Sequence, residues 1–356
     1  MLAAQRNPKI DIIKGIGICL MVLGHCGSPI THFLYLFHMP IFFIASGYVF
    51  NRTYTENIDG MKNMLLKRIK GLWIPFAFFS VIYVLLWNFF VNIHIYDADL
   101  KTSHEIIRGI FKVFIFSGEG GSMAGAFWFL RTLFFTTIGY GIVDFLFNKI
   151  HVRNKSVFHI LFAIIIFAIA YIMSIKQISL KGLDLVFAAY PMFVFGAEYR
   201  IQKLPELNNT NSIVVLSASL LILLVCHDAG GVEMSKRIYT SPWFYIVSSV
   251  SGWFFLYSIS TLITKSNRLT NCFSYLGKNT ICIIVLHFLV FKIINLLQIE
   301  IYELPIDKLS AFPVLKAKPF WWVLYSVIGI CIPLLLNWCY DKVKSKIVNH
   351  WSKKTR

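Results

Sequence analysis

The sequence predicts an all-α protein, a polytopic transmembrane helix bundle with about ten helices, and three observations support this prediction. Of the 356 residues, 57% are hydrophobic and only 14% are charged, whereas a soluble domain typically carries about 25% charged residues. The mean hydropathy is +0.67. The apolar residues form blocks of about 17–23 residues, the length with which a helix crosses the hydrocarbon core. Strand-length alternation is missing from these blocks, which favours helices over a β-barrel.

Each apolar block is separated from the next by a polar break that contains Gly or Pro, and the breaks define the individual elements. The predicted spans are 10–26, 33–50, 72–93, 126–147, 157–175, 183–199, 212–227, 243–263, 280–297 and 320–339. Segment 104–117 is too short and too charged to cross a bilayer. We predict an interfacial or re-entrant helix there.

The charged residues between the spans predict the orientation of the bundle. If the N-terminus is cytoplasmic, the cytoplasmic loops contain most of the Lys and Arg residues and the outer loops contain most of the acidic ones. The positive-inside rule therefore places both termini in the cytoplasm. The net charge of +17 is explained by this rule and by anionic lipids. We expect a lipid bilayer as the environment and no nucleic-acid partner, because no basic run alternates with aromatic residues on a soluble domain.

The cysteine spacing argues against a zinc or redox protein, and the first apolar block argues against a cleavable signal peptide. The seven cysteines include no CxxC pair, so neither a zinc site nor a redox motif is expected, and we expect no metal. The first block carries Asp11 and Lys14 and leads directly into another span. It is therefore predicted to be a membrane span and not a cleavable signal peptide.

Polar residues inside the first span are the first candidates for function, because a charged side chain at mid-bilayer costs ~3 kcal/mol. Lys14 and His25 are separated by about three helical turns, so they share one face at ~16 Å along the helix axis. Asp11 precedes Lys14 by one turn. The alternative is that Asp11 and Lys14 form an interfacial pair and that His25 faces the outer headgroups.

Further polar candidates lie on other spans. His38 follows His25 after a short loop, so both imidazoles are predicted near the outer end of an antiparallel hairpin. Two histidines at similar depth suit a general base with an orienting partner. His287 lies in the middle of the ninth span. Arg131 follows Trp128 at the outer end of the fourth span, where it contacts either an anionic substrate group or the outer headgroups.

Five segments carry a resemblance to a known family. They are DIIKGIGICLMVLGH (Asp11–His25), FHMPIFFIASGY (Phe37–Tyr48), KRIKGLWIPF (Lys67–Phe76), WFL (Trp128–Leu130) and LGKNTICIIVLH (Leu276–His287). Together and in this order they resemble the membrane acyltransferase-3 family, bacterial proteins that acylate cell-surface carbohydrates. The resemblance implies an acyltransferase membrane domain at 1–341 and a basic cytoplasmic tail at 342–356, without a soluble SGNH-type domain. It also implies a multi-pass protein of the bacterial cytoplasmic (inner) membrane.

The family motifs fall on individual residues of this chain. The basic residue and histidine of the first span correspond to Lys14 and His25, and the FHMP histidine corresponds to His38. The paired basic residues before the third span correspond to Arg68 and Gly71. This chain therefore lacks the second basic residue, and Lys70 is the cation next to it.

The resemblance implies a transfer from acetyl-CoA or another acyl-CoA to a carbohydrate hydroxyl. Lys14, Arg68 and Lys70 would hold the phosphates of the cofactor at the cytoplasmic mouth. His25 would act as general base on a sugar hydroxyl that enters from outside, oriented by His38, while Asp11 would order Lys14. The full candidate set is His25, His38, Asp11 and His287 for catalysis, Lys14, Arg68 and Lys70 for the cofactor, and Arg131 and Trp128 for the substrate.

Several alternatives stay open at this point. A carrier or flippase for a surface polysaccharide or its precursor would also suit ten helices with a polar stripe, and so would a membrane sensor. The acyl group is acetyl by default, with succinyl as the alternative. O- or N-acylation, direct transfer or a covalent acyl-imidazole, the identity of the glycan and the oligomeric state are not determined by the sequence.

Overall fold

A computed structural model describes residues 7–115, 120–202 and 207–354 of the chain. Within these ranges the chain is helical almost throughout, with one short β-hairpin. The all-α prediction is thus confirmed for the described residues. Residues 1–6 of the predicted membrane domain, residues 355–356 of the predicted tail and residues 116–117 of the 104–117 segment lie outside these ranges.

The helices follow one another with short connections. They are α1 Pro8–His25, α2 Thr31–Tyr35, α3 Pro40–Tyr48, α4 Ile58–Arg68, α5 Ile74–Leu85, α6 Trp87–Asn92, α7 Ser103–Phe114, α8 Trp128–Lys149, α9 Lys155–Ile175, α10 Leu185–Ile201, α11 Asn209–Ala229, α12 Pro242–Ile263, α13 Asn267–Lys278, α14 Thr280–Ile301 and α15 Trp321–Lys354. Between α11 and α12, strands β1 (Val232–Glu233) and β2 (Ile238–Tyr239) pair antiparallel. Short 3₁₀ turns lie at Arg52–Thr55, Ser122–Ala124, Met234–Lys236 and Ile306–Ser310.

Seven helical segments among the described residues are long and apolar enough to cross a membrane, so the protein is a multi-pass membrane protein. They are Ile58–Leu85, Trp128–Lys149, Lys155–Ile175, Thr210–Ala229, Pro242–Ile263, Thr280–Ile301 and Trp321–Lys346. The other three predicted spans coincide with α1, with the pair α2–α3 and with α10, which has 17 residues. Ten spans and cytoplasmic termini therefore stay a prediction.

The second predicted span is interrupted. Helix α2 ends at Tyr35, and α3 begins at Pro40. Proline has no backbone N–H and is favoured at the first position of a helix, so Pro40 suits the start of a new helix. His38 lies in this break and not on a continuous helix.

Helix boundaries differ from the prediction at two further places. The predicted span 72–93 is divided between two helices: its first part ends a longer helical segment, Ile58–Leu85, in which a π-helical turn at Ile69–Trp73 joins α4 to α5, and its last part is the separate helix α6. The last helix, α15, continues from the predicted span 320–339 into the predicted basic tail as far as Lys354.

The predicted interfacial segment begins with a capped helix, α7. Thr102 and Glu105 form a capping box at its N-terminus. Hydrogen bonds from the backbone N–H and the hydroxyl of Thr102 hold the pKa of Glu105 below its usual value.

Helices α1 and α13 touch through their backbones. A Cβ atom on Gly277 would lie 1.9 Å from the carbonyl oxygen of Asp11, and one on Gly15 would lie 2.1 Å from that of Phe273. Small residues allow membrane helices to approach this closely. Because α14 follows α13 directly, this crossing also fixes α14, which carries His287, beside α1, which ends at His25.

Candidate active site

Three elements bring the predicted histidines together. His25 is the last residue of α1, His38 lies in the break between α2 and α3, and His287 lies on α14. The rings of His25 and His287 stack with 5.6 Å between their centroids and 22° between their planes. His38 and His287 are buried. Residues far apart in the sequence thus form one cluster, which we call the histidine cluster.

Tyr35 joins the histidine cluster although it was not among the predicted site residues. Its hydroxyl oxygen lies 3.3 Å from Nδ1 of His25, and its ring lies 4.8 Å from the ring of His38. No local sequence pattern marks Tyr35, because only the fold brings the short helix α2 beside His25.

Hydrogen bonds to the backbone set the tautomers of two of the histidines. Nδ1 of His287 lies 2.9 Å and 3.0 Å from the carbonyl oxygens of Ile283 and Ile284, and Nδ1 of His38 lies 2.9 Å from that of Leu34. A carbonyl only accepts, so each Nδ1 carries the proton and donates it. In a neutral ring Nε2 then holds a lone pair. Nε2 of His287 is buried and has no hydrogen-bond partner among the described residues.

A small cavity lies beside the histidine cluster. Its volume is about 30 Å³, and its polar lining consists of His25, Tyr35, His38, Trp128, Glu233 and Ser235. Phe288, whose ring lies 5.0 Å from that of His25, packs against the cluster. A cavity of this volume has room for about two water molecules. We call this cavity the histidine chamber.

Trp128 and Arg131 belong to neighbouring cavities. Trp128 lines the histidine chamber and also a second cavity of about 220 Å³, which Arg131 lines. The guanidinium of Arg131 packs against Gly182, where a Cβ atom would lie 2.0 Å from Nη2. Of the two predicted substrate residues, Trp128 therefore lines the same cavity as His25 and His38, whereas Arg131 lines the neighbouring one.

Comparison with known proteins identifies the family to which the chain belongs. The chain matches the acyltransferase domain of the acyltransferase-3 family over residues 7–338. The chain belongs to this family. It is also 26% identical over 221 residues to "Nodulation protein NolL" of Sinorhizobium fredii (strain NBRC 101917 / NGR234), an alignment that covers 58% of this chain and 52% of that protein. The chain thus matches about half the length of this curated relative. No solved structure matches the chain significantly.

The other candidate residues of this family member do not line the chamber. Asp11 is in the first turn of α1 and His25 is its last residue, so ~21 Å of helix axis separates them at 1.5 Å per residue. Asp11 therefore does not reach the imidazole of His25, and the structure does not support direct contact between them. Lys14 is half-buried on the same helix.

The basic residues before α5 lie at a π-helical turn. Arg68 is half-buried at the end of α4, and Lys70 is exposed within the turn. No atom lies within 4 Å of a Cβ atom built on Gly71. The position where the family has its second basic residue thus faces open space. π-Helical turns are frequently found at functional sites.

A second polar cluster lies apart from the histidine chamber. Nη2 of Arg52 lies 2.6 Å from Oε1 of Glu198 and 2.8 Å from the hydroxyl of Tyr140. Nε2 of His159 lies 3.0 Å from Oδ1 of Asp144, which is 3.5 Å from Nε of Arg52. These bonds connect the turn Arg52–Thr55 with α8, α9 and α10. These charged and polar groups pair with one another, which is how charged side chains are tolerated in membrane proteins.

Proposed function

We propose that the protein is an integral membrane enzyme of the bacterial cytoplasmic membrane that transfers an acyl group from cytosolic acyl-CoA to a hydroxyl of a surface or lipid-linked carbohydrate on the outer side. Membership of the acyltransferase family supports the transfer. The histidine chamber is the observation that carries the proposal, because His25, His38 and Tyr35 line it and the ring of His287 stacks on that of His25.

His25 is the general base in this proposal. It takes the proton of the carbohydrate hydroxyl while the oxygen attacks the thioester carbonyl carbon. The carbon–sulfur bond breaks, and the proton passes from the imidazole to the leaving thiolate of CoA. Because the hydroxyl of Tyr35 engages Nδ1, we assign the proton transfer to Nε2 of His25. A fixed ring close to the reacting groups supplies part of the rate enhancement through proximity.

His287 and His38 support this base. The ring of His287 stacks on His25, and its N–H is committed to two backbone carbonyls. Its Nε2 is therefore a hydrogen-bond acceptor inside the protein. We assign His287 to holding the orientation of His25 and His38 to holding the ring of Tyr35, which lies against it.

The cofactor end of the site is assigned to Lys14, Arg68 and Lys70, with the phosphates of acyl-CoA as their ligands. The half-buried guanidinium of Arg68 and the exposed ammonium of Lys70 lie within three residues of each other at the π-helical turn. The pantetheine arm then follows α1 from Lys14 towards His25, and Asp11 orders Lys14. Trp128 and Arg131 are assigned to the carbohydrate and to any anionic group on it.

The experiment that tests this proposal measures free CoA released by the purified protein in nanodiscs. The donors are acetyl-CoA and succinyl-CoA, and the acceptor is a glycan extract from the envelope of the source cells. We expect release that needs the extract and is abolished by His25→Ala. His104→Ala, an exposed histidine on α7, is the matched control and should retain full activity. Equal release by the wild type and His25→Ala would contradict the proposal, and a carrier would move glycan without consuming acyl-CoA.

A further inference from the structure

The β-hairpin between α11 and α12 forms part of the wall of the histidine chamber. Glu233, Met234 and Ser235, from β1 and the 3₁₀ turn after it, line the same cavity as His25 and Tyr35. Glu233 is thus the carboxylate in the lining of the chamber, and its partner across the hairpin is Ile238. The mechanism proposed above gives Glu233 no role.

Contacts with three helical elements hold the hairpin in place. The guanidinium of Arg237 pairs with the carboxylate of Asp184, next to the start of α10, with Nη2 lying 3.2 Å from Oδ1. The hydroxyl of Ser174 on α9 donates to the carbonyl of Arg237 at 2.6 Å. The hydroxyl of Tyr245 on α12 lies 3.6 Å from the sulfur of Met234. The position of Glu233 is therefore set by the packed helices around the hairpin.

The side chain of Glu233 lies at the boundary between the chamber and the outside. It is 22% exposed, and its Oε1 lies 3.1 Å from Nζ of Lys236, which is 68% exposed. Glu233 lines the chamber together with Tyr35, whose hydroxyl contacts His25. The carboxylate is therefore close to the histidine cluster and partly accessible to a ligand that enters from the hairpin side.

We propose that Glu233 is a substrate-positioning residue that binds a polyhydroxyl acceptor next to the hydroxyl that is acylated. This inference rests on the proposed function. A carboxylate accepts hydrogen bonds from two neighbouring hydroxyls, and bonds to an ionised acceptor are the stronger ones. The reacting oxygen must come within hydrogen-bond reach of His25, and a neighbouring hydroxyl then meets Glu233. The carboxylate also disfavours an acceptor that carries an anionic group at that position.

The test compares Glu233→Ala and Glu233→Gln with two control variants in nanodiscs. Lys236→Gln removes the ion pair but leaves the carboxylate, and Glu300→Gln removes an exposed carboxylate from the outer end of α14. Transfer from radiolabelled acetyl-CoA to the envelope glycan extract is measured over a range of extract concentrations. Equilibrium binding of acetyl-CoA and the melting temperature are measured on the same preparations.

Glu233→Ala should lower kcat/KM for the extract about tenfold to a hundredfold, the effect of losing a hydrogen bond to a charged group. The loss should lie mainly in KM, with kcat at saturating extract and acetyl-CoA binding unchanged. Glu233→Gln should show a smaller rise in KM. If Glu233→Ala does not fold, the KM of Glu233→Gln alone tests the inference. Both controls should behave as the wild type.

An unchanged KM for the extract in Glu233→Gln and Glu233→Ala would overturn the inference, and so would an equal effect of Lys236→Gln. A parallel loss of acetyl-CoA binding and melting temperature in Glu233→Gln would show a structural role and would overturn it as well. Failure of the proposed function looks different, because the wild type itself would then release no CoA in a His25-dependent way.

Discussion

Tyr35 provides a quantitative test of how His25 is held. Tyr35→Phe removes one hydroxyl and keeps the ring that packs 4.8 Å from His38. The hydroxyl oxygen lies 3.3 Å from Nδ1 of His25, which is long for a hydrogen bond. One such bond contributes about 0.5–1.5 kcal/mol, and 1.36 kcal/mol corresponds to a factor of ten in rate. We therefore expect kcat to fall about two- to twelvefold.

The assay for Tyr35→Phe is the initial rate of CoA release at saturating acetyl-CoA and glycan extract. Tyr96→Phe is the matched control, since its hydroxyl donates to the carbonyl of Gly120 at 2.6 Å and lines no part of the chamber. The control should leave kcat unchanged. A loss of more than about a hundredfold in Tyr35→Phe would refute a merely orienting role, because it exceeds what one hydrogen bond supplies. An unchanged kcat would show that this contact does not serve the base.

Three further predictions concern packing and the cofactor end. Gly277→Ala should lower stability by about 1–3 kcal/mol through overpacking against α1, seen as a lower melting temperature, whereas Gly71→Ala has open space and should not destabilise the fold. Lys292→Met should destabilise by about 1–3 kcal/mol, because the ammonium donates to two loop carbonyls at 2.8 Å and 2.9 Å that would lose this donor; equal melting temperatures would contradict this. Arg68→Gln should weaken equilibrium binding of acetyl-CoA more than the exposed Lys70→Gln does, and unchanged binding in both would remove these residues from the cofactor site.

Hydropathy predicted the membrane class and most helices, since apolar blocks must cross the bilayer as helices whatever their neighbours are. The break at His38 was partly visible, because Pro40 lacks the N–H that would continue the hydrogen-bond pattern of a helix. The continuous segment Ile58–Leu85 was not predicted from hydropathy, because its first half is polar and exposed.

Candidate site residues could be named from the sequence, whereas their contacts could not. His25 and His38 were predicted as a pair at the end of one hairpin, whereas His287 was singled out alone as a polar residue in an apolar span. The stacking of His25 on His287 depends on the glycine crossing of α1 and α13, which no local pattern reveals. Tyr35 and Glu233 were missed for the same reason, as ordinary residues of a short helix and a loop that only the fold brings to the chamber.

The most direct test of the central claim uses proteoliposomes with the protein in one orientation. Radiolabelled acetyl-CoA is sealed on the side of Lys14 and Arg68, and the glycan extract is added on the side of Glu233. The account predicts labelled glycan outside the vesicles and free CoA inside them in equal amounts, with neither formed by His25→Ala. Labelled glycan that forms only when donor and acceptor share one side of the membrane, or forms equally with His25→Ala, would contradict it.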